Sequence, residues 1–332
     1  MNLNQRHVKY TELKPCTNAF IDTRSPGSDQ KENFTIIGPG VAENPDQHVH
    51  ISLAHGFNIG GARQPPGCLN SQHSHLTEEV FVVHQGDWAF LSGVNANDGR
   101  IVLKPGDVIS IPTDIFRGFE NVGQDTGYLH AVLGGDDPGR VLWAPSVFEL
   151  AKEYGLILLE NGKLVDTTLG EEKPRDEPVM PVTTAEQIAE HRVVSSEALN
   201  DIVIRKQDFQ WSTSTALGRF KGIKEAPLVG GESKEEGIGA SSLSWPHNFV
   251  VRALSFEGGA TIPAHKRFEE EVIFIHEGEL HITVDGESLV LNEGDNFTTP
   301  IEAVRTFENR ASKECIAYIT RRNNVPKAPE FL

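Results

Sequence analysis

The feature that most constrains this chain is an internal repeat. Around residue 79 stands "EEVFVVHQGDWAFLSG", and around residue 271 stands "EEVIFIHEGELHITVDG". Gly67, His73, Glu79 and Gly86 correspond to Gly259, His265, Glu271 and Gly278 at an offset of 192 residues. Farther on, Gly106, Asp107, Pro112, Arg117, Phe119 and Asn121 correspond to Gly294, Asp295, Pro300, Arg305, Phe307 and Asn309 at an offset of 188. The four-residue difference falls at the hairpin tip around "VNANDG", where the second copy has the shorter "VDG". A length change confined to a hairpin tip is what a duplicated β-unit tolerates. The chain therefore folds as two copies of one domain, and its 332 residues are enough for two.

Each copy is built of short β-branched and aromatic runs separated by turn signals, such as "RIVLKPGDVISIP", "FVVRALSF" and "HITVDGESLVL". With 31 Gly and 19 Pro and few helix-long periodic segments, this predicts an all-β chain of barrels or sandwiches. Residues 1–45 read as an N-terminal arm packing on a barrel, 46–135 as the first barrel, 136–200 as a helical, proline-rich and acidic linker, and 201–332 as the second barrel. Within the linker, "APSVFELAKEYG" predicts a helix started at Pro145 and Ser146 and stopped at Gly155. Thr183 followed by Glu186 predicts a capped second helix.

The formal net charge of −17 repels polyanions, so nucleic acid and acidic membrane surfaces are not expected partners. Cys16, Cys68 and Cys315 are far apart and odd in number, which argues against a disulfide framework and for a reducing, cytoplasmic setting. The first residues carry no apolar signal-like segment, and no run is long enough for a membrane helix.

The chemistry concentrates in "SQHSHLTEEVFVVHQG". The spacing Gly67, His73, His75, Glu79, Gly86, followed by Gly106, Pro112 and Asn121, resembles the two ordered motifs of the cupin superfamily. The resemblance spans both copies and implies a bicupin of two tandem jelly-roll barrels. On a strand, residues i and i+2 share a face, so His73 and His75 can aim two imidazoles at one point, and Glu79 adds a carboxylate. Two His and one carboxylate with open positions suit Fe(II) first, and also Mn, Ni, Co or Zn. Two positions depart from the family pattern. Asp114 replaces a Gly, and Arg117 replaces the further His ligand.

Arg117 cannot ligate a metal, because its guanidinium stays protonated. It either clamps an anionic substrate beside a three-ligand metal, the reading preferred here, or pairs with Glu79 and degrades the site. In the second copy His265 and Glu271 remain, but Arg267 stands for the second His and Arg305 for the motif-two His. Two guanidiniums disfavour a cation there, so Glu271 is expected in a buried ion pair with Arg305 or Arg267. His84 and His276 lie on the opposite strand face from the ligands. His130 is a further candidate ligand, though a packed histidine is the commoner case, and His48, His50 and His55 are expected at a surface or interface. Trp88, Phe90, Phe116 and Phe119 are candidate walls of an apolar pocket, or simply core.

What the resemblance implies is a metal-dependent, quercetinase-like dioxygenase. His73, His75 and Glu79 would hold one divalent ion, with Glu79 and Arg117 as catalytic groups. The partners would be O2 and a small enolic, aromatic or carboxylate-bearing substrate, anionic to suit Arg117. A metal-dependent isomerase, lyase or decarboxylase is the alternative, and a non-catalytic binding protein a third reading. A homodimer is expected from exposed sheet edges.

Overall fold

The computed structural model describes residues 2–332. It contains two β-barrels, each a pair of opposed sheets. In the first, a seven-stranded sheet runs in the order Val203–Ile204, Val108–Ile111, Glu79–Gln85, Gly127–Gly134, Phe57–Gln64, Glu32–Ile37, Val49–Ile51. It faces a five-stranded sheet of Leu142–Trp143, Leu69–Ser74, Arg117–Asn121, Trp88–Ser92 and Gly99–Leu103. The second barrel repeats the plan, with a six-stranded and a five-stranded sheet.

The larger sheets of the two barrels pack face to face. Phe57, Ile59, Val80, Val82, Tyr128 and Val132 of the first share one apolar cluster with Val229, Phe249, Val251, Val272 and Phe274 of the second. These sheets are therefore buried on both faces, which is why "VFVV" is a continuous apolar run and "FVVRALSF" is broken only at Arg252 and Ser255. Full burial of one such side chain contributes about 1.5–3 kcal/mol. Inside the first barrel, Phe81, Trp88, Phe90, Ile109, Phe119 and Leu129 fill one end.

The ends of the chain cross between barrels. His7–Val8 pairs with Asn296–Thr299 of the second barrel, while Glu32–Ile37 is an integral strand of the first. The arm thus serves both. Val203–Ile204, placed by sequence at the start of the second barrel, pairs instead with Val108–Ile111 of the first. Two-residue pairings of this kind carry no periodic signal. The linker helix spans Pro145–Glu153, and Gly155 follows at φ 83°, a left-handed position that glycine takes without strain. The second linker helix begins one residue later than expected: Thr184 is its cap, in a reciprocal box with Gln187. Two overlapping capping patterns exist in "TTAEQ", and the structure uses the second. The arm and linker close over one end of the first barrel, where Ile21, Phe116, Trp143, Ala144 and Val147 form a separate cluster. No helix among the described residues is long and apolar enough to cross a membrane.

Candidate metal centre in the first barrel

His73 lies on the strand Leu69–Ser74, His75 directly after it, and Glu79 opens the next strand, Glu79–Gln85, in the opposed sheet. One ligand atom from each of the three lies within 4.8 Å of the others, and all three are buried. His75 Nε2 and Glu79 Oε2 are 3.6 Å apart. The His73 Nδ1–H donates to the Ser71 carbonyl at 2.7 Å, which fixes the ring and leaves Nε2 free. His75 Nδ1 is buried without a partner. Burial, then the charge of Arg117, holds both imidazoles well below their ordinary pKa, so both are neutral. Neutral imidazoles and a carboxylate are the donor set a divalent ion takes. The residues present therefore fit such an ion.

The trio stands on the wall of a chamber of about 80 Å³. Phe20, Phe81, Phe119 and Trp143 supply most of its apolar lining, with Gly60, Ala131 and Leu133. Of the four aromatic residues expected from sequence, Phe119 alone lines it. Trp88 and Phe90 belong to the filled end, and Phe116 packs on His191 with ring centroids 4.4 Å apart. Trp143, from the linker, pairs in register with His73 and sits 5.3 Å from its ring. The contributions of Phe20 and Trp143 were invisible in sequence, because both come from segments outside the repeat.

Arg117 is 1 % exposed and is absent from the chamber wall. Its Nη2 donates to Glu79 Oε2 at 2.5 Å. The anticipated fork toward a substrate is thus committed to the ligand carboxylate. Burial raises the Glu79 pKa, and Arg117 opposes that shift without cancelling it. Behind the trio, Lys31 donates to Asp22 and, at 2.8 Å, to Asn70 Oδ1. This buried ion pair buttresses the strand that carries His73.

His130 does not join the ligands. Its neighbours Ala131 and Leu133 line the chamber, so strand alternation turns His130 outward, where it stacks on Phe274 of the second barrel at 4.1 Å. His84 and His276, repeat equivalents, meet across the same interface with their Nδ1 atoms 3.3 Å apart. His55 is likewise buried between the barrels, on Thr298. His50 is tied to the Thr35 carbonyl at 2.8 Å.

In the second barrel Glu271 is bonded by Arg305 at 3.0 Å and by Arg321 at 2.7 Å, with Arg267 at 3.5 Å. Arg267 also reaches Glu236 at 2.5 Å and Glu269 at 3.1 Å. Burial pushes Glu271 upward, but Arg321, Arg305 and Arg267 overcome it and hold the carboxyl far below its ordinary range. Sequence identified Arg267, Arg305 and Glu271; it missed Arg321, Arg252, Glu225, Glu236 and Glu269. The signal lies in the repeat itself, since Arg252 and Arg321 fall at the offsets of Gly60 and Leu133.

Two opposed-sheet barrels, each with its motif residues at one end, define a two-domain cupin architecture. The Cupin domain family matches residues 253–320. Germin-like protein subfamily 1 members 4 and 5 of Arabidopsis thaliana are each 31 % identical over 125 residues, covering 34 % of this chain and 54 % of theirs. The chain thus spans about half the length of the curated relatives it matches. Among solved structures, Lactobacillus farciminis oxalate decarboxylase in its formate complex superposes with a TM-score of 0.59 at 11 % identity, covering 100 % of this chain and 89 % of that one. Bacillus subtilis oxalate decarboxylase gives 0.56 at 11 % identity, covering 98 % and 78 %. In fold the chain is two tandem cupin barrels, and the family match itself covers residues 253–320.

Proposed function

We propose that this bicupin is a divalent-metal-dependent enzyme that cleaves or rearranges a small carboxylate-bearing substrate in the chamber of its first barrel, without O2. The observation that carries the reading is the buried trio of His73, His75 and Glu79 on the wall of a chamber of about 80 Å³. That volume is far below the roughly 300 Å³ at which drug-sized ligand sites begin, so a flavonoid-sized substrate fits poorly. The fold neighbours that carry the name oxalate decarboxylase support the same direction.

The ion, held by His73, His75 and Glu79, would supply Lewis-acid polarisation of a substrate oxygen. The trio suits Fe(II), Mn, Co, Ni and Zn alike, and Fe(II) is one candidate among them. The protein's own contributions are separate. The aromatic walls exclude water. Arg117 orients Glu79 through its hydrogen bond and so acts as a positioning residue. In a decarboxylation the carbon–carbon bond breaks, carbon dioxide leaves, and the electron pair left on carbon takes a proton. Among the described residues Glu79 is the one carboxyl on the chamber wall, and in this reading it would pass that proton from solvent to the carbon.

A dioxygenase remains the second reading, because two histidines and one carboxylate with open positions form the set used by Fe(II) oxygenases. Metal analysis of the purified chain and of His75→Ala tests the common core: the wild type should hold one ion that the variant loses. Metal in neither protein, or equally in both, removes the proposal. Oxygen uptake during turnover would favour the second reading over the first.

A further inference from the structure

Antiparallel partners on neighbouring strands point their side chains to one face of the sheet. Asn33 pairs in register with Ala62, an interior residue of the first barrel, while Phe34 turns toward the barrel–barrel interface. Lys31, Asn33 and Thr35 therefore share the inward face. Two of these three are saturated: Lys31 by Asp22 and Asn70, and Thr35 by Gln47. Asn33 is not. Its Nδ2 is buried without a partner, and the residue lines the chamber. The repeat gives an independent check, because Glu225 occupies the same place in the second barrel and sends its carboxylate inward to Arg321 at 3.6 Å.

The charges around the chamber point the same way. No Lys or Arg side chain is on its wall. The nearby cations are already committed, Lys31 to Asp22 and Arg117 to Glu79. A substrate carboxylate can be met by the ligand set with its ion, but a second carboxylate would be buried without a cation, which is costly. A carbonyl or hydroxyl oxygen, by contrast, satisfies the idle Asn33 amide.

We infer that Asn33 is the specificity-determining donor of the chamber, selecting small monocarboxylates that carry a neutral oxygen beside the acid and rejecting dicarboxylates. This rests on the metal-site reading above and narrows it to a substrate class that differs from oxalate.

Pyruvate, propionate and oxalate make a matched test, since pyruvate and oxalate are alike in size while propionate lacks the keto oxygen. Binding to the full chain is read by calorimetry, and by visible absorption after loading with Co(II). Pyruvate should bind about tenfold tighter than propionate, the effect of one buried hydrogen bond, and tighter than oxalate. Asn33→Leu should abolish the difference between pyruvate and propionate. Asn33→Asp, isosteric but without the donor, should do the same while guarding against a packing defect. Oxalate binding at least as tightly as pyruvate, or an unchanged pyruvate preference in both variants, overturns the inference. If Co(II) absorption survives His75→Ala the metal reading fails by itself, and the calorimetric preference still decides the role of Asn33.

Discussion

Where the first barrel has Gly60, the second has Arg252; where the first has Leu133, the second has Arg321; and where the first has His75, the second has Arg267. The strand registers around these positions are the same. Gly60 pairs with Ala131, and its counterpart Arg252 pairs with Ile319, the counterpart of Ala131. Two guanidiniums, those of Arg252 and Arg321, thus occupy volume that a glycine and a leucine leave open in the first barrel, and a third, Arg267, takes the place of His75. A Cβ on Gly60 would already stand 3.3 Å from the Phe34 carbonyl, so glycine keeps that wall thin. In the second barrel Arg252, Arg267, Arg321 and the shared Arg305 are balanced by Glu225, Glu236, Glu269 and the shared Glu271. One scaffold is a hollow chamber in one copy and a charged core in the other.

The sharpest way to break this comparison is at the carboxylate the copies share. Glu271 faces Arg267, Arg305 and Arg321, none of which can shed its charge. Glu271→Gln should cost about 3–5 kcal/mol of stability in denaturant unfolding, while the metal content of the first barrel stays unchanged. A loss below about 1 kcal/mol would show that the network does not hold the second barrel together. The pH sign follows from the depressed carboxyl. The contribution is present above the ordinary glutamate pKa and is lost as pH falls through the folded value. The variant should therefore show a flatter acid limb.

A somewhat smaller and more discriminating effect is expected at the paired arginines. Arg117→Met leaves Glu79 buried without its cation, but that carboxyl can take up a proton, so the loss should be no more than about 3 kcal/mol. Added divalent metal should restore much of it, because the ion replaces the missing charge. Arg305→Met, its counterpart, should lose stability that metal does not restore. Thermal unfolding with and without Mn(II) reads both variants. Equal behaviour in the two would mean that the first barrel is as metal-indifferent as the second.

How much of this contrast could be read from sequence depends on where each residue sits. His73, His75 and Glu79 were legible because a strand's period of two and the motif spacing fix their common direction, and the repeat exposed Arg267 as a substitution within that motif. Gly60, Leu133, Arg252 and Arg321 lie on strands outside the motifs. Their meaning depends on register, which "FNIGGARQ" set against "FVVRALSF" does not display until the pairing is known. Phe20, Asn33 and Trp143 reach the chamber from the arm and the linker, through long-range closure that no local pattern encodes. Arg117 was recognised as the odd residue, but its partner was a choice between substrate and Glu79 that spacing alone left open.

The effect that is smallest at neutral pH tests the place where the barrels touch. His84 and His276 are pushed down to about 3, chiefly by burial, and His84 is lowered further by His276. His130, also down to about 3, lies beside them, and Lys206 and Glu277 are the nearest charged groups. Tyr10, Tyr128 and Tyr318 pack around the pair. An unfolded histidine takes its proton near pH 6.5, so between that value and about 3 the unfolded chain binds protons that the folded one refuses. Stability contributed by the neutral pair is therefore complete above the upper value and falls as pH is lowered through the window. The slope is about 1.4 kcal/mol per pH unit for each proton. The double variant His84→Leu, His276→Leu should flatten urea-unfolding stability between about pH 6 and pH 4 by one to two such slopes, and leave the first barrel's metal content as it was. An unchanged slope would mean that the two barrels part before these histidines titrate, and that the interface is not what acid attacks first.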